Sequence, residues 1–400
     1  MSKLRIASAI AAVSLIGGTA MAGFIDRIPE NQRVLFWSTE RRDAAFRAME
    51  KVGPVRTIAA GPKASPLVTD KPLILMPDIE TFMATNRMAG LIVLQNGKIR
   101  AEHYALGFKP DERWSTFSVA KSITSTLIGA AIRDGYIKSL ADPVTRYIPE
   151  LSGSAYEGVT VQQLLTMTSG VKWSENYSSP SSEVARFITQ KPEPGMDVTV
   201  SYMRKLKREA PPGSKWVYKT GETNLAGVLV SKATGKSLSH YLSEKIWQPY
   251  GMERDAIWAL GATDHEVSGC CLSATLRDYA RFGQFMLDVG IAGGKPVLPD
   301  GWIEQATRKQ VGFANSANGY GYQWWTGKDG LYWGSGIFGQ LMAVYPKRKL
   351  VVVVLANWPK ASGPSQFSES RNRLFALVKA AIEKENSDAS AGSNDGAELK

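Results

Sequence analysis

The feature that most constrains this chain is the placement of its two hydrophobic periodicities. Alternating, strand-type patterning lies at both ends of the sequence and helical patterning fills the middle, so any sheet must be assembled from segments far apart in the chain. Residues 90 to 105 hold an apolar run, then Asn96-Gly97, then a second run from Lys98 to Tyr104. This predicts a hairpin, because Asn-Gly suits the two positive-φ positions of a type I′ turn. Towards the other end, strands are predicted at 320–326, 331–335, 340–345 and 350–357, the last two joined across Pro346-Lys347-Arg348. Between these regions the spacing predicts helices over 119–134, stopped by Gly135, over 160–168, begun by Thr160, and over 222–234, stopped by Gly235. Ser237 and Ser273 are predicted N-caps of two more helices, and 366–384 closes as an amphipathic helix.

The implied architecture is α/β (α+β): one antiparallel sheet built from both chain ends, flanked by helices, with an all-α domain inserted between them. Residues 23–117 and 266–384 are assigned to the sheet domain and 118–265 to the helical domain. The cleft between the two bodies is the expected site. Residues 385–400 are small, polar and charged, which predicts a disordered tail.

Residues 1–22 have the layout of a secretory signal peptide. Lys3 and Arg5 precede an apolar stretch from Ile6 to Met21, and Ala20-Met21-Ala22 supplies small residues for cleavage. The apolar run is short for a membrane span, which needs about 20 residues. The chain is therefore expected to be exported, periplasmic or secreted, with no membrane span once the signal is cleaved. Removing Lys3 and Arg5 takes the formal charge from +11 to +9. The basic residues are scattered, and their one dense cluster, Arg204 to Arg208, reads as a solvated helix face, so no nucleic-acid partner is expected. The two cysteines, Cys270 and Cys271, are adjacent and offer no metal-ligand spacing. Buried free thiols are expected there, with a vicinal disulfide as the alternative that an oxidising compartment permits. No metal and no cofactor is predicted.

Ser118-Val119-Ala120-Lys121 opens the first predicted helix, placing serine and lysine three residues apart on one helical face. A serine in the first turn has an unpaired backbone N–H and lies at the positive end of the helix dipole, where an oxyanion is stabilised. A second Ser-x-x-Lys, at Ser169 and Lys172, falls at a helix end instead, where free N–H groups do not point outward. Lysine at its ordinary pKa is neutral in about one molecule in 2,500 at pH 7, a cost of about 4.6 kcal/mol, so burial or a neighbouring cation has to lower it. Tyr218 offers a phenol that can share a proton with it. The chain's histidines, His103, His240 and His265, sit in no nucleophile-elbow context, which disfavours a Ser-His-Asp mechanism.

Ser118-Val119-Ala120-Lys121, the run Leu164-Leu165-Thr166-Met167-Thr168-Ser169-Gly170, Tyr218-Lys219-Thr220 and Gly336-Ile337-Phe338-Gly339-Gln340 together resemble the landmarks of class C β-lactamase-related serine hydrolases. The match extends over about residues 75 to 380 and is nearest the 6-aminohexanoate-dimer hydrolase branch, which includes amidases and esterases. The resemblance implies a β-lactamase/transpeptidase-like fold, Ser118 as the acylated nucleophile, Lys121 as its base and Tyr218 as proton shuttle. It places the oxyanion hole at the backbone N–H groups of Ser118 and Ile337, and implies substrate contacts at Tyr177, Thr220, Gly336 and Gln340. Two boxes depart from the family pattern. Thr220 stands where asparagine is frequent, and Gly334-Ser335-Gly336-Ile337 carries no cation for a substrate carboxylate, which argues against efficient penicillin hydrolysis. Lys219-Thr220-Gly221 and Gly235-Lys236-Ser237 imitate a β-lactamase box and a phosphate loop in the wrong structural context.

The expected function is hydrolysis of a small amide or ester through an acyl-enzyme. A cell-wall D-amino-acid peptidase or carboxypeptidase, or a β-lactamase, is one alternative. A non-catalytic penicillin-binding-like module is another.

Overall fold

The computed structural model describes residues 34–394 except 178, 180 and 363, with side chains through residue 385. The predicted signal peptide and residues 395–400 lie outside the described residues.

Eight antiparallel strands form the main sheet: β1 (Met88–Gln95), β2 (Lys98–Tyr104), β3 (Val311–Gly312), β4 (Gly319–Tyr320), β5 (Trp325–Thr326), β6 (Tyr332–Ser335), β7 (Leu341–Tyr345) and β8 (Leu350–Ala356). Their spatial order is β2-β1-β8-β7-β6-β5-β4-β3, so the two chain ends meet where β8 pairs with β1. Asn96 and Gly97 take φ of 52° and 74°, as the predicted β1–β2 turn requires.

The sheet is covered on both faces, which explains why β8 is apolar at every position. Leu350, Val352 and Val354 face the closing helix α4 (Ser365–Asn394) through Leu374, Val378 and Ile382. Val351 and Val353 face α3 (Leu276–Leu287) through Phe282, Phe285 and Met286. Gly283 sets that second contact, since a Cβ there would lie 2.5 Å from Val351 Cγ1.

The segment 118–265 carries two long helices that reach the site, α1 (Val119–Arg133) and α2 (Thr220–Thr234). It is not wholly helical. Its strand Ala256–Ala259 joins Val55–Ile58, Leu272–Ala274 and Trp114–Ser115 in a separate small sheet. Ser273 is one of those strand residues, and the helix after it is capped by Thr275, whose side chain accepts from the Asp278 N–H.

The predicted strand 320–326 is broken into β4 and β5, because Gln323 takes φ 61° and turns its buried side chain towards the helical segment. There its amide donates to the Leu164 and Leu165 carbonyls and accepts from Thr223 Oγ1. α4 continues to Asn394, so residues 385–394 extend a helix rather than begin a disordered tail, and Glu385 pairs with Arg100. Cys270 and Cys271 form a vicinal disulfide rather than free thiols, the tight reversal after Gly269 bringing their sulfurs together with Cys271 at φ 66°.

Candidate active site

The strand Trp114–Ser115 runs into α1 through a sharp turn at Phe117, which has φ 45°. A non-glycine residue in the left-handed region costs about 1–2 kcal/mol, and the surroundings have to enforce it. Here the Phe117 ring is buried edge-on against Phe46 and Phe338, both at 5.2 Å. Phe338 is itself left-handed, with φ 63°, and immediately follows Ile337. The two backbone amides expected to form an oxyanion hole, those of Ser118 and Ile337, are thus each adjacent to a left-handed phenylalanine, and the two rings pack on one another. The amides beside Ile337 are committed, Gly336 N–H to the Gln340 carbonyl and Phe338 N–H to the Ala361 carbonyl.

Ser118 occupies the N-cap of α1 with nearly helical φ/ψ of −68° and −4°, and its neighbour Lys121 is fully buried. Lys121 Nζ donates to Ser118 Oγ at 3.0 Å and to the Gly269 carbonyl at 2.6 Å. Gly269 is held in turn by Asn224 Oδ1, which accepts its N–H at 2.7 Å. Burial brings the Lys121 pKa down to about 8, with the Glu175 charge acting weakly the other way. A lysine so placed can exist as free amine at mildly alkaline pH and accept the serine proton.

Tyr218 stands beside both groups. Lys121 Nζ lies 5.3 Å from its ring centroid, and the Ser118 hydroxyl is a hydrogen-bond partner of the phenol. Burial raises the Tyr218 pKa well above its usual value and outweighs the opposing effect of that hydrogen bond. The ring stacks on Trp325 at 5.9 Å and meets Tyr320 edge-on at 6.1 Å. This clamp leaves the hydroxyl as the one polar end of a rigid aromatic body.

Glu175 is the site residue that sequence reasoning missed. One oxygen accepts from the Trp173 indole and the Thr220 N–H, the other from Tyr177 OH and Thr220 Oγ1. It thereby ties the Trp173–Tyr177 loop to the start of α2, next to Tyr218. The nearest signal in the sequence was its position two residues before Tyr177.

A cavity of about 600 Å³ joins these parts, lined by Ser118, Glu175, Tyr177, Tyr218, Ile337 and Arg371 among others. Of the predicted substrate-contact residues, Tyr177 and Gly336 reach it. Gly336 is also required for packing, since a Cβ would sit 2.4 Å from the Thr116 carbonyl oxygen. Two predicted contacts do not reach it. Gln340 is fully buried, its amide spent on the Ser115 carbonyl and the Ala356 N–H, so it joins strands instead of meeting a ligand. Thr220 turns its hydroxyl to Glu175, behind the cavity surface.

Trp325 and Trp333 line the cavity, while Trp324 packs edge-on against Tyr332 in the core. The second Ser-x-x-Lys is absorbed elsewhere, Ser169 donating to buried Glu222. Lys219 is buried beside that same carboxylate at 3.6 Å.

A serine held at a helix N-terminus by lysine instead of histidine belongs to hydrolases that work through an acyl-enzyme, and this protein is such a serine hydrolase. The β-lactamase family model matches residues 78–375, and the chain belongs to the β-lactamase family. It is 32% identical over 336 residues to the 6-aminohexanoate-dimer hydrolase of Paenarthrobacter ureafaciens, covering 78% of this chain and 85% of that protein. A β-lactamase of Escherichia coli strain K12 is 29% identical over 191 residues, or 42% of this chain and 46% of its own length. Among solved structures, one from Bacillus anthracis provisionally assigned as a 6-aminohexanoate-dimer hydrolase superposes with TM-score 0.75 at 24% identity, over 86% of this chain and 95% of the other. A family VIII carboxylesterase shares the fold with TM-score 0.59 at 17% identity, over 78% of this chain and 99% of the other.

Proposed function

We propose that this protein hydrolyses small amides or esters with Ser118 as nucleophile, Lys121 as its base and Tyr218 as proton carrier. The observation that carries the reading is the 3.0 Å contact from Lys121 Nζ to Ser118 Oγ, with the lysine pKa near 8. Ser118 Oγ attacks the carbonyl carbon while its proton passes to the Lys121 amine. The oxyanion is held by the Ser118 and Ile337 N–H groups. Collapse breaks the bond to the leaving group, which takes a proton through Tyr218, and water then cleaves the acyl-enzyme by the reverse relay. The substrate enters between the sheet body, 23–117 with 266–384, and the body built from 118–265.

Similarity to the 6-aminohexanoate-dimer hydrolase named above supports an amide or ester substrate, as does a cavity sized for a small molecule. We read the protein as exported. The signal-like first 22 residues and the vicinal disulfide fit an oxidising compartment, and among the described residues no helix is long and apolar enough to cross a membrane. A mature protein beginning at Gly23 is the expected mass. The deciding experiment is intact-mass detection of acylation across amide, ester and β-lactam panels. Transient mass adducts that disappear in Ser118→Ala support the reading. A stable penicillin adduct without ester turnover would favour the cell-wall peptidase instead.

A further inference from the structure

Lys121 Nζ has two acceptors, and the second of them, the Gly269 carbonyl, belongs to the turn that carries the vicinal disulfide. A neutral amine that donates to a fixed carbonyl keeps its lone pair for another neighbour, here the Ser118 hydroxyl at 3.0 Å. The position of the Gly269 carbonyl therefore governs how well the lysine can take the serine proton.

The run Gly269-Cys270-Cys271-Leu272 touches both halves of the reactive pair. At one end Gly269 holds Lys121. At the other, the Leu272 carbonyl accepts from the Thr116 N–H at 3.1 Å and from Thr116 Oγ1 at 3.3 Å, two residues before Ser118. Cys270 and Cys271 are the whole of the connection between these anchors. Gly269 packs too closely on α2 to carry a side chain, since a Cβ would lie 2.8 Å from Thr220 Cγ2. The carbonyls of the pair are held from the neighbouring strand, that of Cys270 by the Trp258 indole at 2.8 Å and that of Cys271 by the Ala259 N–H at 3.1 Å. Cys271 nevertheless stands at φ 66°, a conformation that costs a non-glycine residue about 1–2 kcal/mol. A bond between adjacent side chains closes a small ring over their shared peptide and removes the dihedral freedom through which the turn would relax. Both cysteines are partly exposed.

We propose that the Cys270–Cys271 disulfide is a positioning element for the base. Closed, it fixes the Gly269 carbonyl against Lys121; opened by a dithiol, it lets that carbonyl move, so the hydrolase is fast with the pair oxidised and slow with it reduced. The proposal rests on Lys121 being the base of Ser118. Opening is a thiol–disulfide exchange. One thiolate of the dithiol attacks a cysteine sulfur and breaks the S–S bond, and its second thiolate resolves the mixed disulfide. The dithiol leaves as a disulfide, having given up two electrons and two protons, and Cys270 and Cys271 receive them as two thiols.

The test compares the oxidised enzyme with enzyme reduced by dithiothreitol, using nitrophenyl butyrate. Thiol labelling measures the opened pair, and the chain holds two cysteines, so no other cysteine can respond. Reduction should lower kcat by about tenfold or more while changing KM less than about twofold, and reoxidation should restore it. Activity and thiol labelling should follow one curve as the ratio of reduced to oxidised dithiothreitol is varied. The double variant Cys270→Ser, Cys271→Ser should reproduce the slow state and lose the response to dithiothreitol. The reduced wild type, folded before it is opened, carries the test even where the double variant does not fold. An unchanged kcat on full reduction overturns the proposal, as does a loss through KM alone. A loss that accompanies unfolding, read from tryptophan fluorescence of the same sample, also overturns it, because the pair is then a staple of the fold. The rate at which a fluorophosphonate labels Ser118 reads the activation of the serine without turnover. Slower labelling of the reduced enzyme supports the proposal, and equal labelling overturns it. Failure of the oxidised enzyme to cleave the ester would instead strike the acyl-enzyme reading, and the labelling rates would still decide whether the pair sets the reactivity of Ser118.

Discussion

The two walls of the cavity are finished to different degrees. On the α1–α2 side, Lys121 has two acceptors, Glu175 has four donors and Tyr218 is clamped by aromatic rings. On the β6–α4 side, Arg371 keeps a buried donor without a partner. Chemistry needs groups that are already in place, because reorganisation at the moment of reaction raises the barrier. Recognition needs groups whose partner is still to arrive. The contrast teaches that the first wall is the more tightly committed of the two, as the proposed reaction requires, and the two should respond differently to mutation.

The largest effect is expected on the first wall. Ser118→Ala should lower turnover by at least about 10³-fold on every substrate while leaving the fold intact, since its hydroxyl contributes little to the core. Residual turnover within tenfold of wild type, measured with active-site titration, would place the nucleophile elsewhere.

Lys121→Met should cost about as much, and the double variant little more, because members of one proton relay are not additive. It should also unfold at no lower denaturant concentration than wild type. Holding the lysine at about 8 instead of 10.5 means that its charged form is disfavoured in the folded state by roughly 3 kcal/mol. The folded pKa is the lower one, so at pH 7 the lysine is mostly charged in both states and carries the whole penalty. Stability should rise with pH from about 8 towards 10.5, and this rise should vanish in Lys121→Met.

Tyr218→Phe should divide substrates by leaving group. An amine must be protonated as it departs and a nitrophenolate need not be, so the amide of a matched pair should lose more, by about 10²-fold or greater, than the activated ester. Equal losses would remove the leaving-group role.

The smallest effect belongs to Glu175→Gln. In the wild type, kcat/KM should rise through about pH 8 as Lys121 loses its proton. Glu175 raises that pKa, so neutralising it should move the rise to lower pH and increase the fraction of maximal rate reached at pH 7. A rise left at the same pH, or moved upward, would show that Glu175 does not raise the Lys121 pKa.

How far each feature was legible depended on how local its cause is. The Ser118–Lys121 pair could be read directly, because a helix places residues three apart together whatever surrounds it. The Asn96-Gly97 turn and the Gly235 helix stop were equally local. Tyr218 was offered on the chemistry of its phenol, and only the family resemblance assigned it a role beside Ser118, since nothing in residues 216–220 says that they approach α1. Thr220 and Gln340 were misread because adjacency to a motif does not reveal side-chain direction. A helix start turns Thr220 towards Glu175, and pairing of β7 with β8 sends Gln340 inward to Ser115 and Ala356.

By itself, then, the sequence determined the elements and the reactive pair, through short-range sterics, hydrogen-bond periodicity and helix geometry. Tertiary structure alone decided the lysine's lowered pKa, the saturation of Glu175 and the unpartnered Nε of Arg371. Each is a consequence of burial, and burial depends on which distant segments close over a residue. Arg371 reaches the cavity that Ser118 lines only when α4 folds across the sheet.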